Sequence, residues 1–355
     1  MNTYLVGTPG THRKGVENRN ELLNKRGNWK EGKKGEKVDF IYLETGFNYM
    51  EGYQFVESKL RNRVDYQMKY GKDKLKNIKG IEKYLLESYV ISFEENKNKY
   101  KKLFDGKIWI LKPMGTYGGA QGMQIIKEYK ELEDYSVDVI MAEKDSRHAI
   151  RESRWKGQCV EEENIKKFIL QEYILDSLLY RKRKFNFRIQ LFLFENTGFY
   201  FPETLVYTAK DDYKKSEFQN KDIHFTQRKG SLRGIFFPND FKIDKGKKEF
   251  ILNQIEDLLK KIVKNSNFKC FKENEMCYHW FGIDAMITEN FEIKLLEINS
   301  QVGVYWTDWY EIRYPKTDKD YATVVFESQM VDIVDKIFPP KNKINDKSYF
   351  IKIED

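Results

Sequence analysis

CYHWFGIDAMITENFEIKLLEINS, residues 277–300, is the stretch from which the rest of the chain is read. Two apolar runs flank Thr288 to Phe291, which predicts two strands joined by a turn. Alternate residues of a strand share a face, so Glu297 and Asn299 project together from the second strand while Asp284 sits in the first. With Ile287 opposite Glu292, Asp284 faces Leu295 and is a diagonal neighbour of Glu297. An apolar strand ending in a carboxylate and an amide is unusual, because an unpaired buried carboxylate is unfavourable. Magnesium held between these oxygens and a polyphosphate removes that penalty, and a buried structural hydrogen-bond pair is the other way to satisfy them.

Upstream, Phe250 to Ser266 places Ile251, Ile255, Leu258, Leu259, Ile262 and Val263 at helical spacing, which predicts an amphipathic helix. KFNFRIQLFLF, residues 184–194, alternates as a strand does, with Lys184, Asn186, Arg188 and Gln190 on one face and Phe185, Phe187, Ile189 and Leu191 on the other. That polar face is either a solvated exterior or two cations waiting for an anion. FILQEYI, residues 168–174, reads as another strand. In KIWILKPMGTYGGAQGMQIIK, residues 107–127, the runs Ile108 to Leu111 and Met123 to Ile126 flank Gly115, Gly118, Gly119 and Gly122. Glycines in such a hairpin let backbone N–H groups approach a phosphate, with Lys112 on the first strand, although a purely structural turn has the same composition. The spacing is neither a P-loop nor a dinucleotide fingerprint. Nearer the N-terminus, Glu17 to Asn24 predicts a short helix and Asp39 to Leu43 a strand, and the rise in β character marks a boundary near Asp105.

The chain has 355 residues, 40% hydrophobic and 15% aromatic, enough for one large or several small domains with a real core. Its 63 basic and 55 acidic side chains leave a net charge of +8, modest for this length. The densest basic stretch, Arg13 to Lys37, is either solvated surface or an anion-docking face. Cys159, Cys270 and Cys277 form no CxxC pair and His12, His148, His224 and His279 are scattered, so neither structural zinc nor a disulfide framework is expected. Neither a signal peptide nor a membrane span is read from the chain, and a cytoplasmic protein is expected.

Taken in order, the lysine strand, the glycine hairpin, a second lysine and an Asp…Glu-x-Asn terminus resemble the ATP-grasp superfamily, and specifically the tubulin-tyrosine-ligase-like family. WILKP…GGAQGM resembles the family's lysine and phosphate-loop strands, FILQEYI its adenine hinge and RKFNFRIQLFLF its RKFDIR strand. HFTQ, residues 224–227, resembles HLTN, and FGIDAMI…KLLEINS resembles FGFDFM…LLEVN. GNWK, residues 27–30, and ESYVI, residues 87–91, are fainter echoes.

The resemblance implies an α+β ATP-grasp fold in which nucleotide is held between two antiparallel-sheet subdomains, with a small N-terminal α/β domain. The expected division is 1–105 for substrate docking, 106–183 for the phosphate loop and adenine hinge, and 184–355 for the magnesium site. It implies that Lys112 and Lys184 bind ATP phosphates, helped by Gly118 and Gly119, that Gln171, Glu172, Tyr173 and Ile174 contact adenine, and that Arg188, with Lys184, acts on the transferred phosphoryl group. Asp284, Glu297 and Asn299 are implied to hold Mg²⁺, and Lys79 is a further candidate lysine. The implied reaction joins a free amino acid to a carboxylate on an acidic protein tail, tubulin or another acceptor, through an acyl phosphate. No enzyme nucleophile is needed, and His224 is expected to be a loop or substrate-contact residue. A monomer with no membrane or nucleic-acid partner is expected, with cytoskeletal association a corollary. Three positions depart from the family pattern: Asn186 replaces an aspartate, Gln227 an asparagine and Tyr207 an arginine, with Arg228 or Arg233 near enough in sequence to substitute for the last. A catalytically weak nucleotide-binding or scaffolding relative is therefore the alternative, and a basic nucleic-acid-binding protein the second.

Overall fold

The computed structural model describes residues 1–7, 13–33, 36–43, 58–62, 75–114, 122–136, 166–226, 231–232, 234–266, 270, 274–299, 314, 317 and 319–354. The N-terminal part contributes β1 (Asn2–Gly7), α1 (Arg13–Lys25), β2 (Trp29–Glu31), β3 (Val38–Leu43) and β4 (Ser58–Asn62). These strands pair in parallel in the order β2-β1-β3-β4. Helix α1 is longer than the segment predicted for it, and it buries Leu22 and Leu23 with Tyr4, Trp29, Phe40 and Tyr42.

A four-stranded antiparallel sheet follows, in the order β5-β8-β6-β7, from β5 (Ser88–Ser92), β6 (Trp109–Pro113), β7 (Gln124–Ile126) and β8 (Lys167–Glu172). The hairpin predicted around the glycines is present, with Trp109 opposite Ile126 and Leu111 opposite Gln124. Gly115, Gly118 and Gly119 lie outside the described residues. Helix α2 (Tyr129–Asp134), opened by a Glu128/Glu131 capping box, sets Leu132 against Trp109, Leu111, Phe168 and Leu170. The chain joins this sheet already at Ser88, ahead of residue 105.

The remaining strands are β9 (Leu179–Tyr180), β10 (Arg183–Phe194), β11 (Thr197–Tyr200), β12 (Thr204–Thr208), β13 (Ile235–Phe237), β14 (Met276–Ile287), β15 (Ile293–Asn299) and β16 (Ile351–Lys352). Their spine, β13-β12-β10-β14, is antiparallel and continues without a break into β4, because Met276, Cys277 and Tyr278 pair in parallel with Leu60, Arg61 and Asn62. The N-terminal strands and the C-terminal sheet are thus one twelve-stranded sheet. The short helix α3 (Lys221–His224) precedes α4 (Lys245–Asn265), whose Asp244 N-cap accepts from the Lys247 amide at 2.9 Å. As the periodicity predicts, Ile251, Ile255, Leu258, Leu259 and Ile262 of α4 are buried, and they cover the face of β10 that carries Phe185, Phe187, Ile189 and Leu191.

Helix α5 (Tyr321–Gln329) covers the opposite face, packing Val324, Val325 and Phe326 with Phe192, Leu205, Phe236 and Trp280. The solvated-exterior reading of β10 is corrected here: Lys184, Asn186 and Gln190 are all buried, Gln190 against Trp280 under the α5 layer, Asn186 across from Tyr207, and Lys184 against Ile174 and the rings of Tyr173 and Tyr213. A second correction concerns cysteine. Cys270 and Cys277, the latter in β14, are joined by a disulfide, their Cα atoms 5.5 Å apart. Among the described residues no helix is long and apolar enough to cross a membrane.

Candidate nucleotide and metal site

The site grows from the ends of β6, β8 and β10. Antiparallel pairing of β6 with β8 sets Lys112 opposite Ile169, and the Lys112 Nζ donates to Gln171 Oε1 at 2.6 Å. Gln171 in turn donates from Nε2 to Ser88 Oγ at 3.0 Å, so one amide holds the lysine to the edge strand β5. Past the end of β8 the Tyr173 amide donates to the Ile108 carbonyl at 2.9 Å, which keeps residues 171–174 extended beside the small sheet. The half-buried Glu172 lies 4.0 Å from Lys107 Nζ.

Lys184 enters from β10 and is 2% exposed. Its ammonium donates to the Ile174 carbonyl at 2.6 Å and rests 3.6 Å from the centroid of the Tyr173 ring. Among the described residues no carboxylate is paired with it. Burial, then the positive charge of Lys112, press the Lys184 pKa well below the ordinary lysine range, with Asp176 opposing. A cation held this way gains from an arriving anion.

Two strand positions further along the same face, Arg188 grips Asp284 of the neighbouring β14 in two parallel bonds, Nε to Oδ1 at 2.8 Å and Nη2 to Oδ2 at 2.7 Å. Asp284 also faces Glu297, and the Asn299 amide donates to both carboxylates at 3.1 Å. This corrects the assumed register. Ile287 pairs with Ile293 rather than Glu292, and Leu296 of β15 is bulged out opposite the step from Asp284 to Ala285, so Asp284 lies directly opposite Glu297 instead of Leu295. The bulge brings the two carboxylates together. Burial and then, against Arg188, the charge of Glu297 raise the Asp284 pKa. Burial opposes the Arg188 charge, but the Asp284 carboxylate outweighs it and the guanidinium holds its proton more firmly than usual.

Two carboxylates and an amide that can present its oxygen by rotation are hard donors of the kind Mg²⁺ takes, and the crowding of like charges beside one arginine favours a cation there. Among the described residues no group of three or more His, Cys, Asp or Glu side chains is placed to hold a metal. The donor set fits magnesium only with its amide and with ligands from outside the chain.

The implied residues thus fall into two groups: Lys112, Gln171, Glu172, Tyr173, Ile174 and Lys184 around the end of the small sheet, and Arg188, Asp284, Glu297 and Asn299 on the large one. Gln227, Arg228 and Arg233 lie outside the described residues. Lys79 is exposed, its backbone clasped by Asn265 at the end of α4. Asn186 is buried across from Tyr207, and the Tyr207 ring centroid lies 5.4 Å from the Arg188 guanidinium carbon. His224 is a correction: it belongs to α3, is buried, and bonds Tyr173 rather than standing in a loop. Sequence reasoning also missed Ser88, which holds Gln171, and Tyr213, whose ring centroid lies 5.3 Å from the Lys184 ammonium, since nothing local marks either as a partner of the site.

The model of the tubulin-tyrosine ligase family matches residues 51–229, just over half the chain. That span holds Lys112, residues 171–174, Lys184 and Arg188 and ends before the carboxylate pair. A "probable tubulin–tyrosine ligase" of Schizosaccharomyces pombe is 27% identical over 233 residues, 61% of this chain and 57% of that protein. Tubulin glycylases 3D and 3C of Tetrahymena thermophila are 24% and 23% identical over 64% of this chain, which is 22% and 21% of their own lengths. The matches therefore span little more than half of the first relative and about a fifth of the other two. From the family match together with these relatives, the chain belongs to the tubulin-tyrosine ligase family.

Proposed function

We propose that the chain is an ATP-dependent ligase that joins a free amino acid to a carboxylate of an acidic protein tail, with tubulin, named in the relatives, the first acceptor to test. The observation that carries this reading is Lys184, a buried ammonium answered by one carbonyl and two aromatic rings, those of Tyr173 and Tyr213, on the same strand face as an arginine gripping a carboxylate. Such a face suits a polyanion whose charge shifts during reaction. Lys112 and Lys184 hold the nucleotide phosphates, the extended backbone at Gln171 to Ile174 receives the adenine edge, and Arg188 offsets charge on the transferred phosphoryl group. Asp284, Glu297 and Asn299 would hold magnesium, which when bound neutralises phosphate charge. The acceptor carboxylate takes the γ-phosphoryl group as ADP leaves, and the amine of the amino acid then displaces phosphate to form the amide.

Asn186 favours a second reading. Its buried Oδ1 meets no hydrogen-bond partner among the described residues, and Tyr207 stands across from it, so a protein that binds nucleotide without ligating is the alternative. Incubation with ATP, magnesium, tubulin and labelled glutamate, glycine or tyrosine separates them. Label entering tubulin supports the ligase; nucleotide binding without incorporation supports the alternative; neither overturns both.

A further inference from the structure

Behind the end of β8 lies a buried polar relay that touches the site described above through Tyr173. The His224 ring meets the Glu217 carbonyl through Nε2 at 3.0 Å and the Tyr173 hydroxyl through Nδ1 at 2.8 Å. A carbonyl only accepts, so Nε2 carries the proton, Nδ1 is the acceptor and the Tyr173 hydroxyl donates. Phe218 stacks on the imidazole at 5.5 Å and 5°, and Tyr213 meets it edge-on at 5.5 Å while donating its own hydroxyl to the Leu175 carbonyl at 2.7 Å. Burial, then the charge of Lys184, pull the His224 pKa down to about 4, which keeps the ring neutral near pH 7. Tyr173 is the residue whose ring carries the Lys184 ammonium and whose neighbour Ile174 accepts its hydrogen bond. A hydrogen bond at the hydroxyl pins the far end of the phenol, so it fixes the direction of the Cβ–Cζ axis and the position of the ring centre, which packing alone holds less tightly.

We propose that His224 is a positioning residue of the nucleotide cleft: through Nδ1 it fixes the Tyr173 hydroxyl, the fixed ring cradles Lys184, and the ammonium is thereby aimed at a phosphate. This rests on the nucleotide reading above. His224→Phe keeps the stack on Phe218 and removes the acceptor; Tyr173→Phe removes only the hydroxyl; His224→Asn restores an acceptor near Nδ1. Calorimetric titration of the full chain with magnesium-ATP, well below each variant's melting temperature, is the test. His224→Phe and Tyr173→Phe should each weaken binding by about tenfold, the double variant should be no weaker than either single, and His224→Asn should recover most of the loss. A merely structural histidine lowers the melting temperature without this pattern. Should His224→Phe not fold, the loss in Tyr173→Phe and its absence in His224→Asn carry the test. Wild-type affinity in Tyr173→Phe, or strictly additive losses, overturns the inference alone; a wild-type chain that binds no nucleotide overturns the nucleotide reading and this inference with it.

Discussion

Arg188→Met isolates the electrostatics of the large-sheet site. The guanidinium satisfies both oxygens of Asp284 at 2.8 and 2.7 Å, and the two side chains are 12% and 6% exposed, so water cannot replace it. Removing one partner of such a pair costs about 3–5 kcal/mol, a large share of the ~5–15 kcal/mol that holds a domain together. Here Asp284 would also face Glu297 without a cation between them. In the double variant Arg188→Met/Asp284→Asn the stranded charge is gone, and most of the loss should return, leaving a deficit of about 1–2 kcal/mol. The pH dependence has a definite sign. Burial and Glu297 already raise the Asp284 pKa, and losing Arg188 raises it further. A carboxyl that binds its proton more tightly folded than unfolded destabilises the native state as pH rises, so the Arg188→Met deficit should shrink on going from pH 8 to pH 5. Urea denaturation of the nucleotide-free protein at both pH values measures this. A loss below about 1 kcal/mol, or a double variant that loses the sum of the two singles, would refute the buried-pair account.

Glu297→Gln keeps the volume and removes one of two crowded carboxylates, so its melting temperature should equal or exceed the wild-type value while amino-acid incorporation collapses; a destabilised but active protein contradicts the metal role. Lys184→Met removes a buried cation, so nucleotide binding should be lost while stability is kept or gained. Native Lys184 holds its proton less tightly than the unfolded chain does, so wild-type stability rises with pH towards the ordinary lysine range, and denaturation curves of the variant should show that slope flattened. His224 is depressed from 6.5 to about 4, so the unfolded chain takes up a proton the native ring refuses, and stability falls as pH drops through this window. At pH 5 the contribution is about 1–2 kcal/mol after allowance for solvent screening, and His224→Phe should remove it from the urea pH profile.

Local pattern was enough to find the elements that hold the site. The alternation of residues 184–194, the stripe of α4, the glycine-flanked hairpin and the pair of strands ending in Glu297 and Asn299 are each encoded within about two dozen residues, and each is present. What pattern could not supply is the other side of each face. Alternation separates Lys184 and Asn186 from Phe185 and Phe187 without saying which side meets water; Tyr173, Tyr207 and Tyr213 close over the polar side and α4 covers the apolar one, and none of them adjoins β10 in a way its own pattern could announce. The register of β14 and β15 depends on a bulge at Leu296, opposite Asp284 and Ala285, where no glycine or proline announces it. His224 is visible as a histidine, but its partner Tyr173 is 51 residues away, so the pairing is a property of the folded chain alone.

The strand β4 has a consequence for how the molecule is made. It stands between β3 and β14, and its ladder joins Leu60 to Met276. Arg26, fully buried at the end of α1, bonds Asp335 at 2.6 and 2.8 Å and Asp346 at 3.3 Å. During synthesis the first sixty residues therefore leave the ribosome with an open parallel edge and an uncompensated arginine, and both wait for segments more than two hundred residues behind them. The small sheet, whose four strands fall within residues 88–172, has no such wait and can close while the rest of the chain is still being translated. A pause or truncation between residue 172 and the start of β14 at Met276 would release a folded small sheet tethered to an exposed strand edge, the kind of surface that chaperones hold and that neighbouring chains extend.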